Sequence, residues 1–61
     1  MREKIEVKLR RIAMDRSGKK YTFGLSHWVV MDNNVYVTFL RRDTNGNFMN
    51  IKEVYDINWL I

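Results

Sequence analysis

The 61-residue chain has room for one small domain, because a chain of this size buries only about 60% of the surface that its unfolded form exposes. Its 46% hydrophobic and 30% charged residues are typical of a folded globule and exclude a disordered or collagen-like chain. With no cysteine and one histidine, a disulfide framework and a Cys/His zinc site are impossible. We therefore predict a single small basic domain over residues 1–61 with no metal and no cofactor.

The positive charge is concentrated at the N-terminal end of the chain. Residues 1–20 contain eight cations against three acids, a net charge of +5, whereas residues 21–61 contain three cations against four acids, a net charge of −1. Such a basic segment suggests a surface that faces a polyanion. A solvated surface that keeps a small protein soluble is the alternative explanation.

We expect neither a targeting segment nor a membrane-spanning segment in this sequence. No apolar run approaches the roughly 18 residues needed to cross a bilayer. The chain starts with charged residues, Arg2, Glu3 and Lys4, rather than the apolar core of a signal peptide. We expect a cytoplasmic protein with no membrane partner, and its many Asn, Lys and Ile residues suit an AT-rich bacterial, phage or mobile-element gene.

The N-terminal segment, residues 2–14, is compatible with a strand or with an amphipathic helix. A strand with a β-bulge near Arg10 and Arg11 would bring its apolar residues to one face. The helix is supported by the i, i+4, i+7, i+8 spacing of Ile5, Leu9, Ile12 and Ala13. Because the helix has no N-cap residue and leaves Val7 and Met14 off its apolar stripe, we favour the strand, with a hairpin turn at Ser17-Gly18.

The central hairpin provides the strongest core prediction. A two-residue loop at Asn33 and Asn34 would pair the strand before it with the strand after it. One face of this hairpin is predicted to form the core, with Trp28, Val30, Val37 and Phe39. The opposite face is amphipathic and predicts a curled sheet, a barrel or a partner surface. That opposite face contains His27, Val29, Met31, Tyr36, Thr38 and Leu40.

The C-terminal third completes the predicted fold. Asn45-Gly46 is the preferred pair for a type I′ turn. The spacing of Ile51, Val54 and Tyr55 indicates one short helical turn, followed by a final strand. The fold class is therefore predicted as all-β: a small curled antiparallel sheet or SH3-like barrel of four to five strands, with a helical turn near residues 51–55. The alternative is α+β, an N-terminal helix packed on a three-stranded sheet.

The order of these elements resembles the layout of small archaeal SH3-like chromatin proteins. The shared features are a basic hairpin, a strand with Trp28, a tight turn, an apolar strand ending in Arg41 and Arg42, and the run Asp43–Phe48. The resemblance implies binding of duplex DNA by a sheet face. The chain departs from that family in having five lysines and six asparagines, since those proteins are much richer in lysine.

No catalytic constellation is present in the sequence. The serines have one candidate base, His27, and nothing marks a nucleophile elbow or an oxyanion loop. The carboxylates are scattered, and the three glycines match no phosphate-binding loop. We therefore expect no enzymatic activity.

Basic residues interleaved with aromatic residues give the functional prediction. Lysine and arginine neutralise phosphates, while aromatic rings stack on bases. We predict a non-enzymatic nucleic-acid-binding module that uses a basic sheet face: Arg10, Arg11, Lys19, Lys20, Arg41 and Arg42. The alternative is a small inhibitor or adaptor that binds a host protein through the amphipathic sheet face. Self-association, for example as a homodimer through an edge strand, is a third hypothesis.

Overall fold

A helix and a three-stranded sheet make up most of the structure, a computed structural model that describes residues 2–61. In chain order the elements are α1 (Arg2–Arg16), β1 (Tyr21–Met31), β2 (Asn34–Asp43), β3 (Phe48–Asp56) and α2 (Ile57–Leu60). The strands form one antiparallel sheet in the order β1-β2-β3. This architecture confirms the α+β alternative, and the predicted all-β barrel is not confirmed.

Helix α1 forms because its apolar stripe is buried against the sheet. Ile5, Leu9 and Ala13 are each no more than 3% exposed. Glu3 in the first turn and Arg16 in the last turn both interact favourably with the helix dipole. Val7 and Met14 lie off the stripe, as expected for a helix, and both remain exposed.

A β-bulge is present, but it lies in β1 rather than near Arg10 and Arg11. The register between β1 and β2 shifts between Leu25 and His27, so that Ser26 is the extra residue. The bulge brings Trp28 to the same side of the sheet as Phe23 and Leu25. The bulge that we predicted near Arg10 and Arg11 does not occur, because that segment is helical.

The turn between β1 and β2 lies one residue earlier than predicted. Asp32 and Asn33 form the loop, with φ values of 53° and 65°. Both residue types tolerate this left-handed conformation, which a type I′ turn needs at its two central positions. The predicted loop at Asn33 and Asn34 would place Phe39 opposite Trp28, whereas Trp28 pairs with Val37 in the structure.

The turn between β2 and β3 is not the type I′ turn that Asn45-Gly46 predicts. Only Gly46 has a positive φ, 86°, and the carboxylate of Asp43 accepts hydrogen bonds from the backbone N–H groups of Asn45 and Asn47, each at 2.9 Å. These bonds, the one from Asn47 foremost, hold the pKa of Asp43 below its usual value. The result is a three-residue loop, Thr44 to Gly46, stabilised by an aspartate side chain.

The C-terminal segment reverses the predicted order of helix and strand. The predicted helical turn at residues 51–55 lies inside β3, where Ile51, Glu53 and Tyr55 alternate toward the helix-covered side. The last residues, predicted as a strand, form α2 instead. Asp56 begins this helix as its N-cap, accepting a 2.8 Å hydrogen bond from the backbone N–H of Asn58.

The core lies between the helices and one side of the sheet. Its buried members come from α1, β1, β2 and α2 and are Ile5, Leu9, Ala13, Trp28, Val35, Val37, Phe39 and Leu60. Val30, predicted as a core residue, pairs with the buried Val35 and lies on the same side of the sheet, but it is 39% exposed and does not belong to the core. The other side of the sheet is not covered by any described element.

Candidate binding surfaces

The uncovered side of the sheet has a concentration of exposed apolar side chains. They alternate with the buried residues of the strands and are between 36% and 62% exposed. We call this surface the open face, and its apolar members are Val29, Met31, Tyr36, Leu40, Phe48 and Val54. Apolar side chains grouped on one exposed face make that face a candidate interaction surface.

The open face has an apolar centre and little net charge. Val29, Tyr36 and Val54 are direct cross-strand neighbours, one from each strand. Two cations, Arg42 and Lys52, and one acid, Asp56, lie on the same side. The face is therefore nearly neutral, although the chain as a whole has a net charge of +4.

A hollow of about 480 Å³ interrupts the open face at Gly24. Gly24 pairs with Leu40, and a Cβ atom built on it would have no heavy atom within 4 Å. Leu40, Arg42 and Phe48 line the hollow around the glycine. An apolar side chain of a binding partner would fit into such a hollow.

Three of the six cations predicted to bind nucleic acid meet at one end of the sheet. Lys19, Lys20 and Arg42 line a cleft of about 290 Å³ together with Tyr21 and one acid, Asp43, and we call it the basic cleft. The adjacent Arg41 lies on the opposite side of β2 from Arg42, as expected for neighbours in a strand. Its guanidinium lies 4.4 Å from the centre of the Tyr21 ring.

The remaining two predicted cations lie on α1, not on the sheet. Arg10 is within 4.0 Å of Glu6 one turn away, in an exposed and therefore weak ion pair. Arg11 lines a separate groove between α1 and α2. The predicted placement of Arg10 and Arg11 on a basic sheet face is wrong, because their segment is helical, and their role in binding stays a prediction.

Arg16 is engaged in a structural network rather than in a binding surface. Its guanidinium donates to the Oε2 of Glu53 at 2.6 Å and to the hydroxyl of Tyr55 at 3.1 Å, and Tyr55 in turn donates to Glu53. The hydrogen bond from Arg16 is the main cause of a lowered pKa at Glu53. Burial, followed by the bond to Glu53, raises the pKa of Tyr55 to about 12. This network joins the end of α1 to β3.

A groove of about 750 Å³ runs between α1 and α2, and we call it the helix groove. One wall is basic, because Lys4, Lys8 and Arg11 lie at i, i+4 and i+7 on one flank of α1. Exposed apolar residues, among them Val7 and Trp59, complete the lining. The sequence prediction missed this groove, although testing the cations for helical spacing would have found the basic stripe.

Other kinds of site find little support in residues 2–61. His27 is exposed on the edge strand β1, and no group of three His, Cys, Asp or Glu residues within this range is placed to hold a metal ion. Within the same range, no helix is both long enough and apolar enough to cross a bilayer.

No family model, curated protein or solved structure matches this chain. Conclusions about its function therefore depend on the chemistry of its own surfaces.

Proposed function

We propose that this protein is a non-enzymatic binding module that docks onto a protein partner through the open face. The observation that carries the proposal is the group of six exposed apolar side chains on a side of the sheet with little net charge. An antiparallel sheet that is packed on one face commonly has a polar, solvated opposite face, whereas here the opposite face is apolar. A partner that covers the open face would remove this apolar surface from water.

The charge of the open face favours a protein over a polyanion as the partner. Two cations and one acid provide little attraction for phosphates, whose binding depends on neutralisation by several cations. The hollow at Gly24 supplies instead a pocket beside Leu40 and Phe48 for an aliphatic or aromatic anchor. Pockets of this kind concentrate the binding energy of protein interfaces.

Photo-cross-linking in cells tests this proposal. A benzophenone amino acid replaces Val54 on the open face, or Met14 on the outer side of α1 as the matched control, since both are exposed apolar residues. We expect a discrete protein adduct from position 54 that resists nuclease and is weak or absent from position 14. An adduct between two copies of the chain also counts as protein docking.

A blocking variant shows whether the adduct depends on the open face. Gly24→Phe fills the hollow, and the fold tolerates it because Gly24 has no positive φ and no atom near its Cβ position. We expect Gly24→Phe to abolish the adduct, while the control Gly18→Ala in the loop after α1 preserves it. Adducts of equal yield from positions 54 and 14, or an adduct unaffected by Gly24→Phe, would refute docking through the open face.

Nucleic-acid binding is the second candidate, and the basic cleft is the observation that favours it. Lys19, Lys20 and Arg42 converge there beside Tyr21, a combination suited to a phosphate and a stacked base. Three phosphate contacts predict that the logarithm of affinity falls by about 2.7 per decade of salt for duplex DNA. Titration with short duplex and single-stranded oligonucleotides measures this slope. The variant Lys19→Glu/Lys20→Glu should abolish binding, whereas Lys4→Glu/Lys8→Glu, with the same charge change, should preserve it.

A further inference from the structure

The helix groove combines an apolar lining with one basic wall, on the helix side of the molecule and away from the open face. We propose that it is a second docking site, and that its ligand is an amphipathic helix with an acidic stripe, contributed by a partner protein. The site differs in chemistry from the open face, which is nearly neutral. A chain with both sites would connect two proteins.

The charges of the groove specify an acidic ligand. The residues that line the groove include three cations, Lys4, Lys8 and Arg11, and one acid, Glu3. The three cations span about 10 Å along α1, at a rise of about 1.5 Å per residue. A ligand helix that runs beside α1 and has Glu or Asp at i, i+4 and i+7 presents its carboxylates at the same spacing.

The apolar lining specifies a ligand with an apolar stripe beside the acidic one. Val7 is 65% exposed and Trp59 is 64% exposed, and both line the groove together with Ile61. The Trp59 ring is stacked on Tyr55, with ring centres 5.4 Å apart and planes inclined by 11°. Because this stack holds the indole in place before binding, less conformational entropy is lost when a ligand covers it.

The shape of the site favours a helix over a bilayer. The groove has a volume of about 750 Å³ and lies between α1 and the C-terminal residues Trp59 to Ile61. The cations and apolar residues surround a concave groove, whereas a membrane surface contacts protruding residues. An apolar helix face laid in such a groove is an established mode of peptide recognition.

A pair of designed peptides tests the proposal. The first is a fluorescent amphipathic helix of about four turns with Leu on one stripe and Glu at i, i+4 and i+7 beside it. The second has the same composition, with the Glu residues moved to the opposite side of the helix. We expect fluorescence anisotropy to show tighter binding of the first peptide. We also expect a blue shift of tryptophan emission, because the ligand removes the exposed Trp59 from water, whereas Trp28 is already buried.

Charge-reversal variants locate the binding in the groove. Lys8→Glu/Arg11→Glu should raise the Kd of the first peptide about tenfold or more, because two exposed attractions are lost and replaced by repulsion. Lys19→Glu/Lys20→Glu makes the same change of charge outside the groove and should have a much smaller effect. Circular dichroism checks that both variants keep the helix content of the wild type.

Several results would overturn the proposal. Equal affinity for the two peptides, or equal weakening by the two double variants, would show unspecific attraction between opposite charges. Failure of both peptides to bind would show that the groove is not a docking site for such a helix. Binding of phosphatidylglycerol vesicles with a Trp59 blue shift that the first peptide does not produce would assign the groove to a membrane surface. Gly24→Phe should not change peptide binding, so this test and that of the open face can fail separately.

Discussion

Ser17 connects the end of α1 to the start of the sheet through one hydroxyl group. Its Oγ donates to the backbone carbonyl of Ala13 at 2.9 Å and accepts from the backbone N–H of Phe23 at 2.8 Å. The Ser17-Gly18 pair was predicted as the tip of a hairpin. In the structure Ser17 instead bridges backbone groups of α1 and β1. The sequence pattern does not show this role, because it does not tell which backbone groups a serine hydroxyl will bind.

The variant Ser17→Ala should lower the free energy of unfolding by about 1–2 kcal/mol, because a half-buried N–H group at Phe23 loses its acceptor. Urea denaturation followed by circular dichroism measures the loss. Ser26→Ala is the control, because Ser26 is exposed and lies in β1, the strand that contains Phe23. This variant should change the free energy of unfolding by less than about 0.5 kcal/mol. Equal stability of the two variants would contradict this role of Ser17.

The phenol of Tyr55 should titrate with a pKa of about 12 in the folded protein. The neutral form is favoured in the folded state, so its contribution to stability is complete below the unfolded pKa of about 10 and is lost as pH rises from there to about 12. Ultraviolet absorbance of the phenolate measures the midpoint in a variant with Tyr21→Phe and Tyr36→Phe, which leaves Tyr55 as the only tyrosine.

Adding Glu53→Gln to that variant should lower the midpoint, although only in part, because burial is the larger cause of the shift. A midpoint unaffected by Glu53→Gln would show that Tyr55 does not interact with the Glu53 carboxylate in solution.

At the scale of elements, energy magnitudes explain why α1 is a helix. We favoured a strand because the segment has no N-cap, and such a cap contributes about 1 kcal/mol. Burial of a side chain such as Ile5 or Leu9 contributes about 1.5–3 kcal/mol. The helical stripe buries both of these residues and Ala13 against the sheet, so tertiary packing outweighs the missing cap.

The variant Leu9→Ala tests this packing. Leu9 is fully buried, and its truncation should cost about 2–5 kcal/mol. A domain of this size has a total stability of about 3–9 kcal/mol, so the variant should be largely unfolded under mild denaturing conditions. Val7→Ala on the exposed side of α1 is the control and should change the urea midpoint little. A similar loss in both variants would contradict the observed orientation of the helix.

The central hairpin shows how a wrong register can still predict the right faces. Moving the loop from Asn33-Asn34 to Asp32-Asn33 changes the cross-strand partner of each residue from His27 to Met31 by two residues, and two residues is the period of a strand. Val37 and Phe39 therefore remain on the core side. Tyr36 and Leu40 remain on the opposite side, which is the side that we predicted as a partner surface.

At the scale of the whole molecule, the open face was predictable in part and the helix groove was not. The residues of the open face from β1 and β2 follow from simple alternation. Val54 was missed because the predicted helical turn at residues 51–55 lies inside β3, and Phe48, which precedes that turn, was not assigned to a face. The groove depends on the meeting of α1 and α2, and no local pattern shows that two helices distant in sequence lie side by side.

The same scale explains why the six predicted cations do not form one surface. A prediction based on a sheet places Arg10 and Arg11 across a hairpin from Lys19 and Lys20. In the structure the first pair lies on α1 and the second pair lies in the loop between α1 and β1. The alternation of β2 separates Arg41 from Arg42. The basic residues are consequently divided among the helix, the basic cleft and the covered side of the sheet.

Three methionines allow a direct test of the central claim, that a protein partner covers the open face. Met31 lies on the open face, Met14 on the outer side of α1 and Met49 at the helix-covered side of β3, and all three are more than half exposed. Oxidation of each by mild peroxide is measured by mass spectrometry, once in dilute purified protein and once in the cells that naturally make it. We predict that Met31 is protected in cells, whereas Met14 is oxidised at its rate in dilute solution. Protection of Met14 without protection of Met31, or no protection of Met31 at all, would contradict the claim.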